Sequence, residues 1–592
     1  MAGLWKAALE KYPLPDHLEI IPEHVIFKNS FSLVFNSKDI SEHASTPATP
    51  ATDIREPGSY LATLLQNRRI THQEHSQDVR HMEFSIKDPV FPGYHPGDVL
   101  TMRPRNLDKD VTEFLEYNGW TSIADDPFTI VENLSDHPLP KHIHHRQTLR
   151  SLLTNHLNVF TTPRTSFFQL LIHFTDNEDE KDKLRDFVSP AGQDDLYSYC
   201  HRMKRTLFEV LQDFKDVKVP LNYMLDLFPI IMPRSFSIAS APLVSVQEQH
   251  NQADLNGVKD EHDHQQVIHT ANGDLTQGNV DGELEWKVEL CVAIVHYKTK
   301  LWKWRTGICT KWLKSLTAAA DQALPETGTA PQTDENIKEE LAKEVKNPSQ
   351  FWVRLQRGTL KLPKDPNVPL ICIGPGKESA HFTQLMFYEH LKQTTNFGSF
   401  VCLCVGTGVA PMRSFLHHRI YAQGANDNLL FFGCRKRDMD YHYREEWDQL
   451  EREGRLQVFA ACSRDQVIQA PFARVGRIDR SERDFPTLSC SISLTLSFLT
   501  FIGYWMHPHM IAQEDKVYVQ HLIEQNGPLV WNYLHERRGT ILLSGSSNKM
   551  PADVTRALQR VIALQGNMSI EQANDYLNKV EKEGRFQQEC WA

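Results

Sequence analysis

Four apolar runs, each followed by a turn of small residues, constrain the fold of the carboxyl-terminal part of this chain more than any other feature. From Leu370 onward they read LICIGPG, NLLFFGCR, RLQVFAACS and GTILLSGSS. Short apolar runs that alternate with helical segments are typical of buried strands in a parallel α/β sheet, which binds ligands at the carboxyl ends of its strands. The pattern therefore predicts a parallel α/β domain over residues 366–592.

The first of these turns is interrupted. Gly374 and Gly376 end a strand at a point where a phosphate-binding turn would pass straight into a helix. Residues 377–406 come first, and only then do Thr407 and Gly408 lead into the helical pattern VAPMRSFLHHR. Deleting this insert would join Gly376 to Thr407 and restore one continuous glycine turn.

Shorter runs before residue 366 alternate in the manner of antiparallel strands. They include HMEFSIKD, DVLTM, RSFSIAS and ELCVAIVHY, and they surround a helical pattern of apolar residues between Thr148 and Leu211. We expect an antiparallel barrel that is interrupted by a helical insert at about residues 145–230. Polar segments that we predict to be surface loops are 35–60, 245–285 and 317–348.

Composition argues against several classes of function. The net charge of -11 gives no electrostatic reason to bind nucleic acid or an anionic membrane. The ten Cys residues form no CxxC pair, so we expect neither a disulfide framework nor a metal site, and a cytosolic location fits best. The charge-free stretch Phe485–Met506 contains several Ser and Thr residues, which makes it a weak candidate for a membrane span.

Two polar patterns in the first half suit cofactor binding. In MPRSFSIASAP, Arg234 can pair with a phosphate, Phe236 can stack on a flat ring, and Ser237 can bond to the edge of that ring. In YKTKLWKWRTGICTKWL, Gly307 can open a helix whose free N–H groups bind a pyrophosphate. Each pattern alone is explained more readily by an ordinary strand or helix.

A third pattern lies at the ends of predicted strands in the second half. Ser463 and Arg464, together with Lys516 and Tyr518, suit the 2′-phosphate of an adenosine ribose, because a dianion favours Arg, Lys and hydroxyl groups. A solvated surface cluster explains any one of these residues more readily. Trp591, next to the carboxyl terminus, would ordinarily be regarded as frayed.

In order along the chain, RSFS, GICTKWL, GPG with GTGVAP, SRDQ, KVYVQ, SGSSNKM and a terminal Trp resemble the FAD and NADPH half of the diflavin reductase family. The resemblance covers most of residues 65–592, and SGSSNKMP, GTGVAPMRSFL and FFGCRKRDMDYHYREEW are most similar to the family's cytosolic branch. It implies an FAD-binding barrel with a helical connecting insert over residues 65–365 and an NADPH-binding domain over residues 366–592. It also implies that electrons pass from NADPH to FAD, then through FMN, to an anamorsin-type iron–sulfur protein in cytosolic iron–sulfur cluster assembly.

The resemblance assigns roles to the residues of the flavin site. Arg234 would bind the FAD phosphates, Phe236 would face the isoalloxazine and Ser237 would lie near its reactive N5. Tyr297 would lie beside the adenine, and Trp591 would cover the flavin and swing aside for nicotinamide. The implied FAD contacts are Arg234, Ser235, Phe236, Ser237, Tyr297, Gly307, Ile308, Cys309, Thr310 and Trp591.

The resemblance also implies a set of NADPH contacts and a catalytic group. The NADPH contacts are Gly374, Gly376, Thr407, Gly408, Ser463, Arg464, Lys516, Tyr518, Gln520 and Asp553. The catalytic group is Ser237, Ser544, Glu589 and Trp591. Ser544 stands where microsomal relatives have Cys, and Glu589 stands where they have Asp. Both departures keep a polar group near the path of the hydride.

A second break separates SRDQ from KVYVQ, where residues 467–514 intervene. Two interpretations compete for both inserts. They are either surface loops, which cost little free energy when long, or introns translated in frame. We favour translated introns, because an insertion inside a phosphate-contacting turn would keep the backbone from approaching the phosphate.

Relatives in the family begin with a flavodoxin-like FMN domain. No phosphate loop rich in Ser, Thr and Gly precedes Tyr60, so we expect that domain to be absent and residues 1–64 to be a linker remnant with a disordered loop. Two alternatives to the function that the resemblance implies stay open. One is a reductase of haemoproteins, and the other is a non-catalytic FAD-binding scaffold whose NADPH lobe is broken by its inserts.

Overall fold

The structure is a computed structural model of the whole chain. It describes residues 26, 28–35, 55–248, 266–269, 282–300, 302–322, 348–363, 365, 367–375, 408–465, 516–546 and 549–591. Both inserts, 377–406 and 467–514, lie outside the described residues, and so does the stretch Phe485–Met506.

The described ranges contain strands and helices in both halves of the chain. The strands are β1 (Phe31–Phe35), β2 (Ser59–Arg69), β3 (Val79–Ile86), β4 (Val99–Met102), β5 (Phe128–Glu132), β6 (Arg146–Gln147), β7 (Arg234–Ser237), β8 (Leu243–Glu248), β9 (Gln266–His269), β10 (Gly282–Ala293), β11 (His296–Lys298), β12 (Trp304–Thr306), β13 (Gln350–Gln356), β14 (Leu370–Pro375), β15 (Asn428–Cys434), β16 (Gln457–Cys462), β17 (Thr540–Ser546) and β18 (Phe586–Trp591). The α-helices are Asp108–Tyr117, Leu149–Asn155, Thr165–Leu171, Glu178–Val188, Gln193–Leu196, Leu207–Asp213, Met224–Leu227, Ile308–Ser315, Val409–His417, Arg437–Asp440, Arg444–Arg452, Val519–Gln525, Gly527–Trp531, Lys549–Gln565 and Ile570–Lys582.

The first half of the chain is built on an antiparallel sheet, as the alternating runs predicted. Its strand order is β7-β4-β13-β2-β3-β10-β8-β9. Successive side chains of a strand point to opposite faces of a sheet, and one face of this sheet is covered. Phe84, Val288 and Val353 are fully buried on that face. One isolated bridge, between Ile238 and Leu290, adds to the ladders. The antiparallel sheet is confirmed, whereas its closure into a barrel is not.

A helical unit with its own apolar core is attached to this sheet. It contains the helices between Leu149 and Leu227, and it also includes helix Asp108–Tyr117 and the small sheet β1-β5-β6. The helical pattern predicted up to Leu211 is divided at Lys204, which has a φ of 54°. Thr206 then caps a new helix, in which its side chain accepts from the backbone N–H of Glu209 at 3.2 Å.

Two sequence-based boundaries differ from the structure. β1 pairs with β5, and β2 begins at Ser59, so folded structure begins before residue 65, where we placed the start of the FAD domain. The segment 245–285, predicted to be a loop, contains most of β8, all of β9 and the start of β10. These strands add to an edge of the sheet through backbone hydrogen bonds. The few apolar residues within the segment, such as Val246, Val267 and Ile268, are too sparse among polar ones to indicate strands from the sequence.

The second half is a parallel α/β unit, which confirms the prediction from the four apolar runs. The strand order is β16-β15-β14-β17-β18, and every neighbouring pair is parallel. Ile371, Ile373 and Phe431 are buried within it, as continuous apolar strands covered on both faces require. We call the two halves the antiparallel lobe (residues 55–363) and the parallel lobe (residues 367–591). Within the described residues, no helix is long and apolar enough to span a membrane.

Candidate functional site

A cavity of about 520 Å³ lies between the helical unit and the antiparallel sheet. It is lined by Arg234 at the start of β7, Tyr297 on β11, and Gly307 and Ile308 at the start of helix Ile308–Ser315. Four residues that the sequence assigned to one ligand therefore meet in one cavity. This volume is within the range expected for a small-molecule or cofactor site.

Gly307 sets the shape of the turn at the end of this cavity. It precedes helix Ile308–Ser315, whose first N–H groups have no partner within the helix. A Cβ atom added to Gly307 would lie 3.0 Å from Cβ of Val295 and 3.2 Å from the Thr310 hydroxyl, so a larger residue would push the turn away from its neighbours. The Thr310 hydroxyl accepts from the backbone N–H of Val295 at 3.0 Å. The N–H of Gly307 also donates to the carbonyl of Val295 at 3.0 Å, so the turn is held in place where Gly307 and Ile308 line the cavity.

Basic side chains surround the same cavity, and several of them are already held by carboxylates. The basic residues of its lining are Arg105, Lys204, Arg234, Arg305 and Lys311. Lys311 pairs with Asp110 at 2.5 Å, and Arg305 pairs with Glu209, which also caps the helix that begins at Leu207. Burial works against the charge of Glu209, yet its contacts with Arg305 and Lys303 hold its pKa below the usual value. These ion pairs orient the basic groups before any anion binds.

Arg234 differs from the paired basic residues. Within the described residues its guanidinium donates to the backbone carbonyls of Met232, at 2.8 Å, and of Pro233, at 3.1 Å. Two neutral carbonyls leave the positive charge without a counter-charge at these contacts. Arg234 is therefore well suited to a phosphate.

The remaining residues of the RSFS segment are buried in the antiparallel sheet. Ser235 contacts the Thr101 hydroxyl at 2.8 Å. Phe236 is 2% exposed and packs in the core of the sheet, and Ser237 is 8% exposed opposite Val99 of β4. Cys309 packs in the same core. These side chains support the cavity from behind, while Arg234 lines it.

The carboxyl ends of the parallel strands form a second cluster. Gly408 precedes helix Val409–His417, and a Cβ atom added to it would lie 2.2 Å from the carbonyl oxygen of Ser544. Only glycine allows the helix to begin this close to β17. Ser544 is directly opposite Glu589 in the pairing of β17 with β18.

Ser544 and Glu589 carry buried polar atoms that lack a partner. Within the described residues, Ser544 Oγ and Glu589 Oε2 have no hydrogen-bond partner. Burial raises the pKa of Glu589 to about 7. A buried polar group costs free energy unless it is paired, so two such atoms on adjacent strand ends indicate a ligand that completes them.

The residues predicted to bind a 2′-phosphate lie at one edge of the parallel sheet. Ser463 and Arg464 follow β16, and Lys516 and Tyr518 precede helix Val519–Gln525, which packs against β15 and β16. The Ser463 hydroxyl donates to the carbonyl of Cys434 at 3.3 Å, while Arg464 and Lys516 are exposed. The edge therefore presents two basic groups to solvent.

Several other residues that the sequence assigned to NADPH or to the flavin add little to the description of either site. Gly374 lies in β14, Gln520 lies in helix Val519–Gln525, and Asp553 pairs with Arg556 in the helix that begins at Lys549. Gly376, Thr407 and the side chain of Trp591 lie outside the described structure. Among the described residues, no three His, Cys, Asp or Glu side chains come together in a way that could hold a metal ion.

Comparison with known proteins shows which domains and which family this chain resembles. Models of an FAD binding domain and an oxidoreductase NAD-binding domain match residues 54–269 and 402–484. NADPH-dependent diflavin oxidoreductase 1 of Xenopus laevis is 30% identical over the whole chain, which covers 76% of that protein. The chain belongs to the NADPH-dependent diflavin oxidoreductase family. Similar matches are the Danio rerio protein of the same name, at 31% over the whole chain and 76% of that protein, and the Schizosaccharomyces pombe protein, at 31% over 90% of the chain and 66% of that protein.

As a member of this oxidoreductase family, the chain has an FAD-binding and an NAD-binding domain, and its own residues fit both cofactors. The cavity at Gly307 offers helix N–H groups and basic side chains for a pyrophosphate. The strand ends at Gly408 offer two unpaired polar atoms, Ser544 Oγ and Glu589 Oε2, beside a helix that glycine allows to begin close to β17. The first site is an open, basic cavity, whereas the second is marked by two buried polar atoms without a partner among the described residues.

Sequence reasoning missed the contribution of the helical unit to the FAD cavity. Lys204, Thr206 and Glu209 line it from that unit, and Arg305 faces it from β12. Burial lowers the pKa of Lys204. The TLFE segment from Thr206 to Glu209 is a capping-box pattern and could have located the helix start, but nothing in the sequence shows that this helix start faces Gly307.

Proposed function

We propose that this protein is an NADPH-dependent flavoprotein reductase that passes electrons through FMN to an iron–sulfur protein in cytosolic iron–sulfur cluster assembly. When bound, NADPH supplies a hydride from nicotinamide C4, FAD accepts it at N5, and the flavins release the electrons singly. The observation that carries the proposal is the pair of unpartnered atoms, Ser544 Oγ and Glu589 Oε2, at the strand ends beside Gly408.

In this proposal the antiparallel lobe binds and orients FAD. Arg234 and the N–H groups after Gly307 bind the phosphates, since both present positive charge or dipoles to the cavity. Tyr297 lies beside the adenine, and the buried Ser237 is the group nearest the reactive part of the flavin. The ion pairs of Arg305 and Lys311 keep the walls of the cavity in place.

The parallel lobe binds the reduced nicotinamide coenzyme. Gly408 lets helix Val409–His417 begin close to β17 at the coenzyme site, and Ser544 donates or accepts a hydrogen bond beside the reacting carbon. Glu589, with a pKa raised to about 7 by burial, is partly protonated near neutral pH and can therefore either donate or accept a hydrogen bond there. Arg464 and Lys516 bind the 2′-phosphate, which selects NADPH over NADH.

The proposed acceptor is an anamorsin-type iron–sulfur protein in the cytosol. The motifs SGSSNKMP and FFGCRKRDMDYHYREEW support this choice, because they are most similar to the cytosolic branch of the family.

An acceptor comparison tests the proposal. The purified full chain, loaded with FAD, is given NADPH with ferricyanide, with cytochrome c or with a purified [2Fe–2S] protein, each with and without an added FMN-binding domain from a family member. We expect fast reduction of ferricyanide in every case, because a small oxidant reaches the edge of the flavin directly. Reduction of the protein acceptors should rise when the FMN domain is added, and most for the iron–sulfur protein.

Two results would contradict the proposal in different ways. Failure to reduce ferricyanide with NADPH, in protein that retains FAD, would show that the chain is a flavin-binding scaffold. A larger gain with cytochrome c than with the iron–sulfur protein would favour a reductase of haemoproteins.

A further inference from the structure

Arg413 is a charged side chain buried between the two lobes. It belongs to helix Val409–His417 of the parallel lobe and is 8% exposed. Its Nη1 donates to the carbonyl of Ala239 at 3.0 Å and pairs with Glu289, and both residues belong to the antiparallel lobe. Its Nε contacts Glu446 of its own lobe at 3.0 Å. One guanidinium thus joins carboxylates from both lobes.

The two residues that follow Arg413 also contact the antiparallel lobe. The Ser414 hydroxyl donates to the carbonyl of Ser240 at 2.6 Å. Phe415 packs so closely on Gly97 that a Cβ atom there would lie 2.5 Å from its ring. The Ser240 hydroxyl in turn accepts from the backbone N–H of Glu289 at 3.0 Å. Three consecutive helix residues therefore hold one small region of the antiparallel lobe.

This contact links the two candidate sites by a short path. The helix begins at Gly408, which touches the Ser544 carbonyl, and Arg413 follows five residues later, about 7–8 Å along the helix axis. On the other side, Ala239 comes two residues after Ser237, the end of β7. A rigid helix thus connects the strand ends of one lobe to the end of the flavin-site strand in the other lobe.

The network stays charged over the working pH range. Burial opposes the charge of Glu446, but its contacts with His417 and Arg413 hold its pKa at about 2. Burial likewise opposes the charge of Glu289, and Arg413 holds the pKa of that carboxyl below its usual value. Other charged or titratable groups that face Arg413 are His81 from β3 and Tyr443, whose ring lies 4.6 Å from the guanidinium.

Adhesion between the lobes does not need this network. An apolar cluster with members from both lobes, including Ala239, Cys291, Leu370 and Phe415, already joins them. A buried ion pair adds little net stability compared with apolar residues of the same volume, whereas a guanidinium that binds carboxylates from two sides fixes direction and distance. The structure therefore separates the attachment of the lobes from their alignment.

We propose that Arg413, together with Glu289 and Glu446, is a positioning residue that sets the distance between the nicotinamide site and the flavin site. The inference rests on the proposed function, because it concerns the geometry of that same hydride transfer. Arg413 touches neither cofactor site directly; it acts through the backbone at Ala239 and through the helix that begins at Gly408.

The test compares full-length, FAD-loaded protein carrying Arg413→Lys, Arg413→Met or Glu289→Gln with the parent protein. Flavin reduction by NADPH is followed by anaerobic stopped-flow absorbance, and FAD content and NADPH affinity are measured separately. We expect the rate constant to fall about 100-fold in Arg413→Met, because misplacement of the reactants by about 1 Å costs this much. The rate constants of Arg413→Lys and Glu289→Gln should lie between those of Arg413→Met and the parent. FAD content and NADPH affinity should be unchanged in all three variants.

Two further readouts separate alignment from mere stability. A partly unfolded variant would lose amplitude of the flavin signal but keep the parent's rate constant, whereas misalignment keeps the full amplitude and lowers the rate constant. Hydrogen exchange, measured without NADPH, should become faster in the peptide that spans Phe236 to Ala241. Arg560→Met is the matched control, because Arg560 pairs with Glu524 on the exposed surface of the parallel lobe. It should match the parent in both readouts.

The outcomes distinguish the inference from the function on which it rests. If the parent reduces its flavin with NADPH and Arg413→Met does so at the same rate constant, the positioning role is wrong and the proposed function stands. If the parent itself fails to reduce its flavin with NADPH, both are wrong. Should Arg413→Met fail to fold, parent-like rates in Arg413→Lys and Glu289→Gln would overturn the positioning role in the same way.

Discussion

The cavity at Gly307 and the strand-end cluster at Gly408 differ in the polar groups that they present. The cavity holds about 520 Å³ and is lined by five basic residues, two of which are fixed by carboxylates. The strand-end cluster instead presents two buried polar atoms, Ser544 Oγ and Glu589 Oε2, that have no partner among the described residues. The contrast fits the roles that we propose, in which the basic cavity binds the FAD phosphates and the strand-end cluster lies beside the reacting carbon of NADPH.

The largest expected effect comes from a backbone clash at the strand-end cluster. In Gly408→Ala the new Cβ would lie 2.2 Å from the Ser544 carbonyl oxygen, so the helix or β17 must move. We expect flavin reduction by NADPH to slow about 100-fold while FAD content is unchanged. Stopped-flow rates and flavin absorbance measure the two quantities. The control is Gly527→Ala, where a Cβ would make ordinary contacts at 3.5 Å. Equal rates in Gly408→Ala and the parent would contradict the assignment of the strand-end cluster to the coenzyme.

The next largest effect is expected when a substitution removes a positive charge from the open cavity. Arg234→Ala should weaken FAD binding by roughly 1.5 to 3 kcal/mol, about 10- to 100-fold, because it deletes one charge-assisted phosphate contact. Titration of the flavin-free protein with FAD measures this affinity. Arg185→Ala is the control, because Arg185 pairs with Asp182 on the surface of the helical unit. Unchanged FAD affinity in Arg234→Ala would show that the cavity binds the phosphates elsewhere.

A smaller effect is expected at the edge of the parallel sheet. Arg464→Ala should lower the preference for NADPH over NADH by about tenfold without abolishing flavin reduction, because it removes one of two exposed basic groups. Rates at limiting concentrations of each coenzyme give this preference. Arg452→Ala, on the exposed surface of helix Arg444–Arg452, should leave it unchanged. A parent chain that prefers NADH would refute the 2′-phosphate assignment.

The smallest expected effect concerns the proton on Glu589. Its pKa is raised to about 7, so between the ordinary value for Glu and pH 7 the folded state binds more protons than the unfolded state. Stability should therefore fall as pH rises through this window. Glu589→Gln should remove this part of the dependence and become more stable than the parent at pH 8, as thermal unfolding at several pH values would show. Parallel pH profiles of Tm in the two proteins would contradict the raised pKa.

The sequence predicted those parts of the sites that depend on local chain geometry. Gly307 and Gly408 follow from turns between strand and helix, and each does begin a helix in the structure. Arg234 could be predicted because it is a charged residue at the start of a strand. The four apolar runs also predicted the parallel α/β domain, because strands covered on both faces are continuous apolar segments, although they did not predict the strand order.

The sequence could not predict features that arise between distant segments. Lys204 and Arg305 lie about one hundred residues apart yet line one cavity, and no local pattern joins them. Arg413 belongs to an apolar helical pattern, and its carboxylate partner Glu289 is on a strand of the other lobe. Phe236 was assigned to the flavin face, whereas the structure buries its ring in the sheet core, and periodicity alone does not show which face of a strand meets a ligand.

Anaerobic reduction of the bound flavin tests the central claim most directly. The purified full chain, loaded with FAD, is mixed with NADPH, NADH or dithionite without oxygen, and the visible absorbance of the flavin is followed. The account predicts that NADPH bleaches the flavin fully and faster than NADH at equal concentration. Bleaching by dithionite but not by NADPH would show that the cavity at Gly307 and the strand-end cluster at Gly408 do not work together, and would contradict the proposed hydride transfer.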